Sequence, residues 1–328
     1  MIRAAIAGLG RWGRSFVDSA RGSHRIRFVT GVETPTETGK PTTRKYAAEH
    51  GLTLATDLGQ ALGDAGVEAI VLATPHSLHR EQVIACAKAG KPVFCEKPLA
   101  LTLADAHAMI QACANADVVL GVGHNRRFWP AIRELKRIVE SGELGQLLHI
   151  EGHNSNENSN RILDGWRLSP AESPGGGMTG AGLHVLDAFT HLFGPVRRVR
   201  AQGVSLDPGP PPLDTVTAMY EFANGASGVL ATIRATPFYW RIHAFGTAGS
   251  AEVLGETSIL VHRTNAKPRT ISLEPADSLL AELEAFADAV RGRAPSPIPA
   301  AQMLATTAAF EATVRAIETG EPVHVDAG

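Results

Sequence analysis

Two blocks of this 328-residue chain carry residue types and spacings suited to chemistry at the edge of a sheet. The first is Gly8-Leu9-Gly10-Arg11-Trp12-Gly13, which follows the apolar run Ile2 to Ala7 and opens a segment of helical period. Between a strand and a helix this spacing fits a dinucleotide. The first glycine permits a tight turn, the second lets backbone approach a pyrophosphate, the third lets helix and strand pack closely, and the helix N-terminus supplies N–H donors. Arg11 and Trp12 lie inside the same turn and join Gly8, Gly10 and Gly13 as candidate cofactor contacts. A glycine-rich turn of any α/β protein is the competing explanation, and it loses weight from the position between strand and helix. Glu33 follows the next apolar run, Ile26 to Val32, where a carboxylate accepts hydrogen bonds from an adenosine ribose and repels a 2′-phosphate. That predicts NAD, with NADP as the alternative because Lys40, Arg44 and Lys45 follow closely; an ordinary exposed strand-end Glu is the bland explanation.

The second block is Thr74-Pro75-His76-Ser77-Leu78-His79 together with Glu96-Lys97-Pro98, each closing a short apolar run. Both therefore sit at carboxyl ends of strands, where ligands of open α/β sheets bind. Further along, His184 and Asp187 follow the run Gly175 to Gly182 at a spacing that puts an imidazole and a carboxylate on one helix face.

The elements that must position these residues fall into two textures. Up to about residue 123, the Val- and Ile-rich runs Ile2 to Ala7, Ile26 to Val32, Glu68 to Ala73, Pro92 to Cys95 and Asp117 to Val122 alternate with helical stretches Ser77 to Ala89 and Thr102 to Ala114. That alternation feeds a doubly wound parallel sheet, so residues 1–123 are expected to form an α/β Rossmann domain. Residues 124–328 are expected to form an α+β domain with a large, mostly antiparallel open sheet. It begins with a helix from Trp129 to Val139, and its strands are Leu147 to His153, Val196 to Val204, Thr215 to Phe222, Ser227 to Ile233, Tyr239 to Phe245 and Ser250 to Leu254. Asn224-Gly225 signals a hairpin turn, and the final helices, Ser278 to Val290 and Ala301 to Ile317, pack back on the sheets. Asp207 to Pro212 reads as a stiff loop and Asn154 to Asn160 as a polar loop. Along Tyr239 to Phe245, Trp240 alternates with Tyr239, Arg241 and His243, so one set faces helices and the other a partner subunit or solvent.

Composition narrows the field. With 31 Lys plus Arg against 33 Asp plus Glu and a formal charge of −2, the chain has no basic excess for nucleic acid. At 44% hydrophobic and 20% charged residues it is ordinary globular protein. No apolar stretch reaches membrane-spanning length and the first residues do not form a signal peptide, so a cytoplasmic protein without membrane partners is expected. Three cysteines, Cys86, Cys95 and Cys113, without CxxC or matching His spacing, predict a reducing compartment and no metal site.

The series GLGRWG, TPHSLH, AKAGKPVFCEKPLA, VGHNRRFWP and GGGMTGAGLHVLD resembles the glucose-fructose oxidoreductase, inositol dehydrogenase and MocA family (Gfo/Idh/MocA), in order and spacing over about the first 195 residues. The resemblance implies an NAD(P)-dependent oxidoreductase moving hydride between nicotinamide and a hydroxyl-bearing carbon of a sugar, cyclitol or related diol, including cyclic dihydrodiols. It implies that Lys97 lies beside the nicotinamide and the reacting carbon, followed by a cis bond at Lys97-Pro98, and that His184 is the acid/base partner. Thr74, Pro75, His76, His79, Glu96 and Asn125 join the cofactor contacts. For Asn125 and its neighbours Arg126 and Arg127, a solvated basic patch is the even alternative. His153, Asn154, Trp166, Arg167 and Asp187 are expected to meet substrate, although packing explains Trp166 as well. One departure stands out: family dehydrogenases commonly carry Asp four residues before the histidine, and this chain has Gly180. That keeps open an NAD-using lyase or hydrolase with transient oxidation and no net redox, or a non-catalytic nucleotide-binding homologue. Family members commonly associate through the second-domain sheet, which implies a homodimer or homotetramer.

Overall fold

The structure, a computed structural model, describes residues 1–156, 165–206, 214–234 and 236–325. The DPGPPP loop (207–212) and residues 157–160 of the polar loop lie outside the described residues. Two compact units divide the chain: Met1–Ala100, Ala104–Asn125 and Asp277–Ala300 form one, and Leu101–Leu103, Arg126–Ala276 and Ala301–Gly328 the other.

In the first unit the apolar runs become β1 (Ile2–Ala7), β2 (Ile26–Val32), β3 (Thr53–Ala55), β4 (Ala69–Leu72), β5 (Val93–Glu96) and β6 (Leu120–Gly123). They pair in parallel in the order β3-β2-β1-β4-β5-β6. Strands covered on both faces read as continuous apolar runs, and β4 (AIVL) is buried at every residue. Because the chain leaves β1 toward β2 and later returns to β4, the order reverses beside β1, and the crevice at that switch point is where such sheets bind ligands. The helix Arg11–Ser19 buries Phe16 and Val17 against the sheet. The helix Ser278–Val290, which sequence reasoning placed in the second domain, belongs to this unit: Leu283, Phe286 and Ala287 join a core with Ile2, Phe16 and Phe94. The Phe94 and Phe286 rings meet edge-on at 5.6 Å, and Gly121 makes room for them, since a Cβ there would lie 2.9 Å from Phe94.

The second unit holds a nine-stranded sheet: β7 (Leu147–Ser155), β8 (Val196–Ser205), β9 (Asp214–Phe222), β10 (Ser227–Ile233), β11 (Tyr239–Gly246), β12 (Gly249–Leu254), β13 (Ser258–Arg263), β14 (Arg269–Ser272) and β15 (Val323–His324). Their order is β14-β13-β12-β11-β7-β10-β9-β8-β15, antiparallel except where β7 pairs with β10. The helix Leu183–Phe193 lies on one face. Gly152 of β7 permits the approach, because a Cβ there would meet Val185 at 2.2 Å, and Phe189 stands edge-on to Tyr220 and Phe222 at 6.0 and 6.2 Å. Phe310 and Ala309 of the helix Ala300–Thr319 complete this core. Among the described residues no helix is long and apolar enough to cross a membrane.

Charge is also buried here. Arg127, on the turn Asn125–Phe128, donates three hydrogen bonds to the Asp187 carboxylate, at 2.7, 2.9 and 3.1 Å, with both side chains at most 5% exposed. The same guanidinium donates to Gln302 and, at 3.3 Å, to His191 Nδ1. An imidazole that accepts from arginine must be neutral at that nitrogen, and burial, seconded by the Arg127 charge, pushes the His191 pKa from 6.5 down to about 4. The unfolded chain binds this proton near pH 6.5, so the stability His191 contributes is present above that pH and lost as pH falls toward 4. In urea titrations between those pH values, His191→Gln is expected to remove a part of the acid-side decline worth on the order of 2 kcal/mol. An identical decline in wild type and variant would show that His191 titrates normally in the folded chain.

Candidate active site

At the carboxyl end of β1 the glycine turn has distinct jobs at each position. Gly8 adopts φ +91°, and a Cβ there would strike the Ala73 carbonyl at 2.5 Å; a Cβ at Gly13 would lie 1.8 Å from the Gly8 carbonyl. Gly10 is different, with nothing within 4 Å of its Cβ direction. The helix Arg11–Ser19 starts from Gly10 with no side-chain cap and no acidic residue in its first turn. Its leading N–H groups and positive dipole end face an open approach, which suits a pyrophosphate. Glu33, just past β2, accepts the Leu9 N–H, and Arg14 Nε donates to the Leu9 carbonyl at 2.9 Å, so the turn is held from both sides. Burial raises the Glu33 pKa and outweighs the Leu9 N–H bond that opposes it. Open backbone at Gly10 and a carboxylate at the end of β2 together fit a dinucleotide.

The other predicted cofactor residues share this edge of the parallel sheet. Thr74 and Pro75 follow β4, with Thr74 Oγ1 donating to Gln82 at 2.6 Å, and His76 begins the single turn His76–Leu78. Lys97 follows β5, partly buried, and its bond to Pro98 is cis. Two residues expected to touch cofactor are buried and build the edge itself. His79 is fully buried, its Nδ1 donating to the Pro98 carbonyl at 2.9 Å and its Nε2 3.2 Å from the Thr74 carbonyl, so it ties the two turns together. Glu96 is buried too and accepts the Trp12 indole N–H, linking the glycine turn to the lysine turn. Trp12 thereby serves the turn's architecture, standing edge-on to Phe16 at 6.1 Å. Asn125 Nδ2 donates to Ser278 Oγ at 3.1 Å, and Arg11 lies over the Trp12 ring at 5.3 Å.

In the second unit, a π-helical turn Met178–Gly182 leads into the helix Leu183–Phe193, which places His184 in its first turn, partly buried. Asn154 Nδ2 donates to the Ala181 carbonyl at 2.8 Å and so fixes the backbone just before His184. Asn154, expected to meet substrate, is 1% exposed and positions this backbone. His153 corrects the expectation more sharply. Successive strand residues point to opposite faces, and Gly152 and Asn154 take the face against the histidine helix. His153 takes the other, edge-on to Tyr239 at 5.3 Å and bonded to Ser155, its pKa lowered by burial and then by Arg241. Asp187 is likewise corrected, since its carboxylate is committed to Arg127 in the core. Arg127, read from the sequence as a cofactor neighbour or part of a solvated basic patch, is instead a buried anchor of the histidine helix, and its pairing with Asp187 is what sequence reasoning missed. Arg167 stacks on Trp166 at 4.1 Å in the turn Gly165–Leu168. Gly180 is exposed, and a Cβ there would meet nothing within 4 Å, so the missing Asp side chain has room.

Comparison with known proteins bears on both units. Residues 2–124 match the family model for the oxidoreductase family's NAD-binding Rossmann fold, and residues 132–252 match the GFO/IDH/MocA C-terminal domain. Myo-inositol 2-dehydrogenase of Thermotoga maritima is 35% identical over 214 residues, 62% of each chain. 1,5-Anhydro-D-fructose reductase of Ensifer adhaerens is 28% identical over 348 residues, covering 100% of both. Among solved structures, an oxidoreductase of Desulfitobacterium hafniense superposes with a TM-score of 0.88 at 26% identity, over 98% of this chain and 97% of that one.

The glycine geometry generates a contrast. Gly10→Ala should fold with an unchanged melting temperature and bind dinucleotide at least about tenfold more weakly, as read by tryptophan fluorescence, because the added methyl enters only the open approach. Gly13→Ala should lose about 3 kcal/mol or more of stability, because its methyl meets backbone. Equal destabilisation by both would refute the assignment of separate jobs.

Proposed function

The chain belongs to the GFO/IDH/MocA oxidoreductase family, and from that premise we propose that it is an NAD-dependent dehydrogenase acting on a secondary hydroxyl of a sugar, cyclitol or related diol. One observation carries the reading: the dinucleotide turn, Glu33 and the Lys97 ammonium all lie on the carboxyl edge of one parallel sheet. The substrate class follows the relatives, whose names are those of inositol and anhydrosugar enzymes.

Bound NAD supplies the hydride acceptor. Lys97 Nζ donates to the substrate hydroxyl oxygen and favours the negative charge that grows there as hydride leaves. His184 takes the hydroxyl proton, so the carbinol loses one hydride and one proton and becomes a carbonyl. Asn154 keeps the backbone before His184 in place, and the Arg127–Asp187 pair fixes the next turn of the same helix. The cofactor edge keeps its shape through Glu96 and His79, which lock the turns bearing Trp12 and Lys97.

A homo-oligomer is part of the proposal. The sheet face away from the histidine helix shows exposed Met219 and Tyr239 beside Arg241, which bonds Glu151 at 2.8 Å and Glu252. Exposed Met219 and Tyr239 around a paired charge suit a second copy of the chain. Three free, buried thiols, Cys86, Cys95 and Cys113, support a cytoplasmic setting.

With NAD and a panel of cyclitols, anhydrosugars and cyclic diols, NADH should accumulate with at least one substrate. Lys97→Ala and His184→Ala should each lower kcat by about a hundredfold or more, while His184→Ala leaves NAD affinity within about twofold. Gly180→Asp should keep the wild-type melting temperature and remain active. Retained NAD with substrate turnover and no net NADH would replace this reading with transient oxidation and elimination. On the question of assembly, sedimentation at micromolar concentration should show a species larger than a monomer, and a monomer there would remove the oligomer from the proposal.

A further inference from the structure

Cofactor choice in this chain rests on more than Glu33. Beyond β2, Thr34 Oγ1 accepts the Glu37 N–H at 3.3 Å and starts the single helical turn Pro35–Gly39, which brings a second carboxylate close behind Glu33. Glu37 is near enough for its charge to be felt by Glu33. The cations that follow are each engaged. Lys40 Nζ bonds Glu37 Oε1 at 2.6 Å, Arg44 donates to the Gly39 carbonyl, and Lys45 lies 3.9 Å from Glu49. Arg14, the other cation facing Glu33, donates to the Leu9 carbonyl at 2.9 Å and sits over the Tyr46 ring at 4.6 Å, where the Tyr46 hydroxyl also bonds Asp18. Of the cations expected to soften the preference for NAD, Lys40 is thus the one drawn closest to a carboxylate, while Arg44 bonds a neutral carbonyl and Lys45 keeps a looser partner.

We propose that Glu37 is a cofactor-specificity residue, which holds Lys40 away from a ribose 2′-phosphate and adds a second negative charge beside Glu33, so that NAD is selected against NADP. The inference deepens the dehydrogenase reading and rests on it. A phosphate group carries nearly two charges at neutral pH and would meet two carboxylates there, with Lys40 held on Glu37. The Lys40–Glu37 pair is a surface pair, 52% and 41% exposed, and such pairs are weak, so Lys40 turns to a new anion once Glu37 loses its charge. Glu37→Gln keeps the backbone N–H that Thr34 caps, which leaves the turn intact.

The test is equilibrium binding of NADH and NADPH, by nucleotide fluorescence at low salt, to wild type, Glu37→Gln and the double variant Glu37→Gln with Lys40→Ala. Wild type should bind NADH more tightly. Glu37→Gln should tighten NADPH by about five- to tenfold while NADH changes less than about twofold, and the double variant should lose most of the gain. A NADPH-to-NADH ratio unmoved by Glu37→Gln, or a gain that removal of Lys40 leaves undiminished, overturns this proposal while the dehydrogenase reading stands. Wild type that binds neither nucleotide overturns both.

Discussion

A buried arginine–carboxylate pair organises the second unit. Taking Arg127 and Asp187 out of water costs several kcal/mol per charge, and three mutual hydrogen bonds offset that cost; loss of either partner would strand the other charge at a penalty of about 3–5 kcal/mol. The pair draws together elements far apart in sequence. Arg127 comes from the segment that opens the unit, Asp187 and His191 from the histidine helix, and Gln302 from the last long helix, whose Thr306 also bonds Thr190 at 2.6 Å. Lys136 Nζ adds a bond to the His191 carbonyl at 2.8 Å, bringing in the helix Pro130–Glu140. A helix held this way along its second and third turns has little freedom at its first, and the first turn is where His184 sits.

The first unit reaches the same end by different means. At the carboxyl edge of its sheet, hydrogen bonds between adjacent turns supply the anchoring. Trp12 to Glu96 and His79 to Pro98 join three strand ends into one frame, so that the glycine turn and the lysine turn move together or not at all. Lys97 and His184, the residues proposed to react, each stand beside such a frame, and a frame of this kind holds a side chain within fractions of an ångström.

Much of this was legible in the sequence wherever local pattern and tertiary setting agree. β1, β2, β10 and the helix Ser278–Val290 match their expected bounds, because each carries a run whose period is set by what covers it. β3 and β15 escaped because three and two residues show no period, β13 because its buried Ile259 and Val261 are separated by another apolar residue, Leu260, and β14 because three of its four residues are exposed. At the site, glycine spacing was readable because steric conflict is local. Side-chain roles were less so. His153 and Asn154 looked equivalent as neighbours, yet strand alternation separates them onto opposite faces. Asp187 and Arg127 lie 60 residues apart, and nothing in sequence reports that one will neutralise the other. The cations after Glu33 were countable in sequence, but whether they are engaged depends on one helical turn.

The return of residues Asp277–Ala300 to the first unit has a consequence for how the protein is made. During synthesis the six parallel strands leave the ribosome long before Phe286, so the apolar surface around Phe94 and Gly121 waits for its cover while about 150 further residues are translated. The nucleotide-binding half is first to be synthesised yet among the last to be finished. A gene fragment cut at the apparent boundary near residue 124 would therefore encode not a free-standing domain but one with an open, sticky flank, and a shorter piece that carries residues 277–300 on a linker would be the smallest unit to keep its own core.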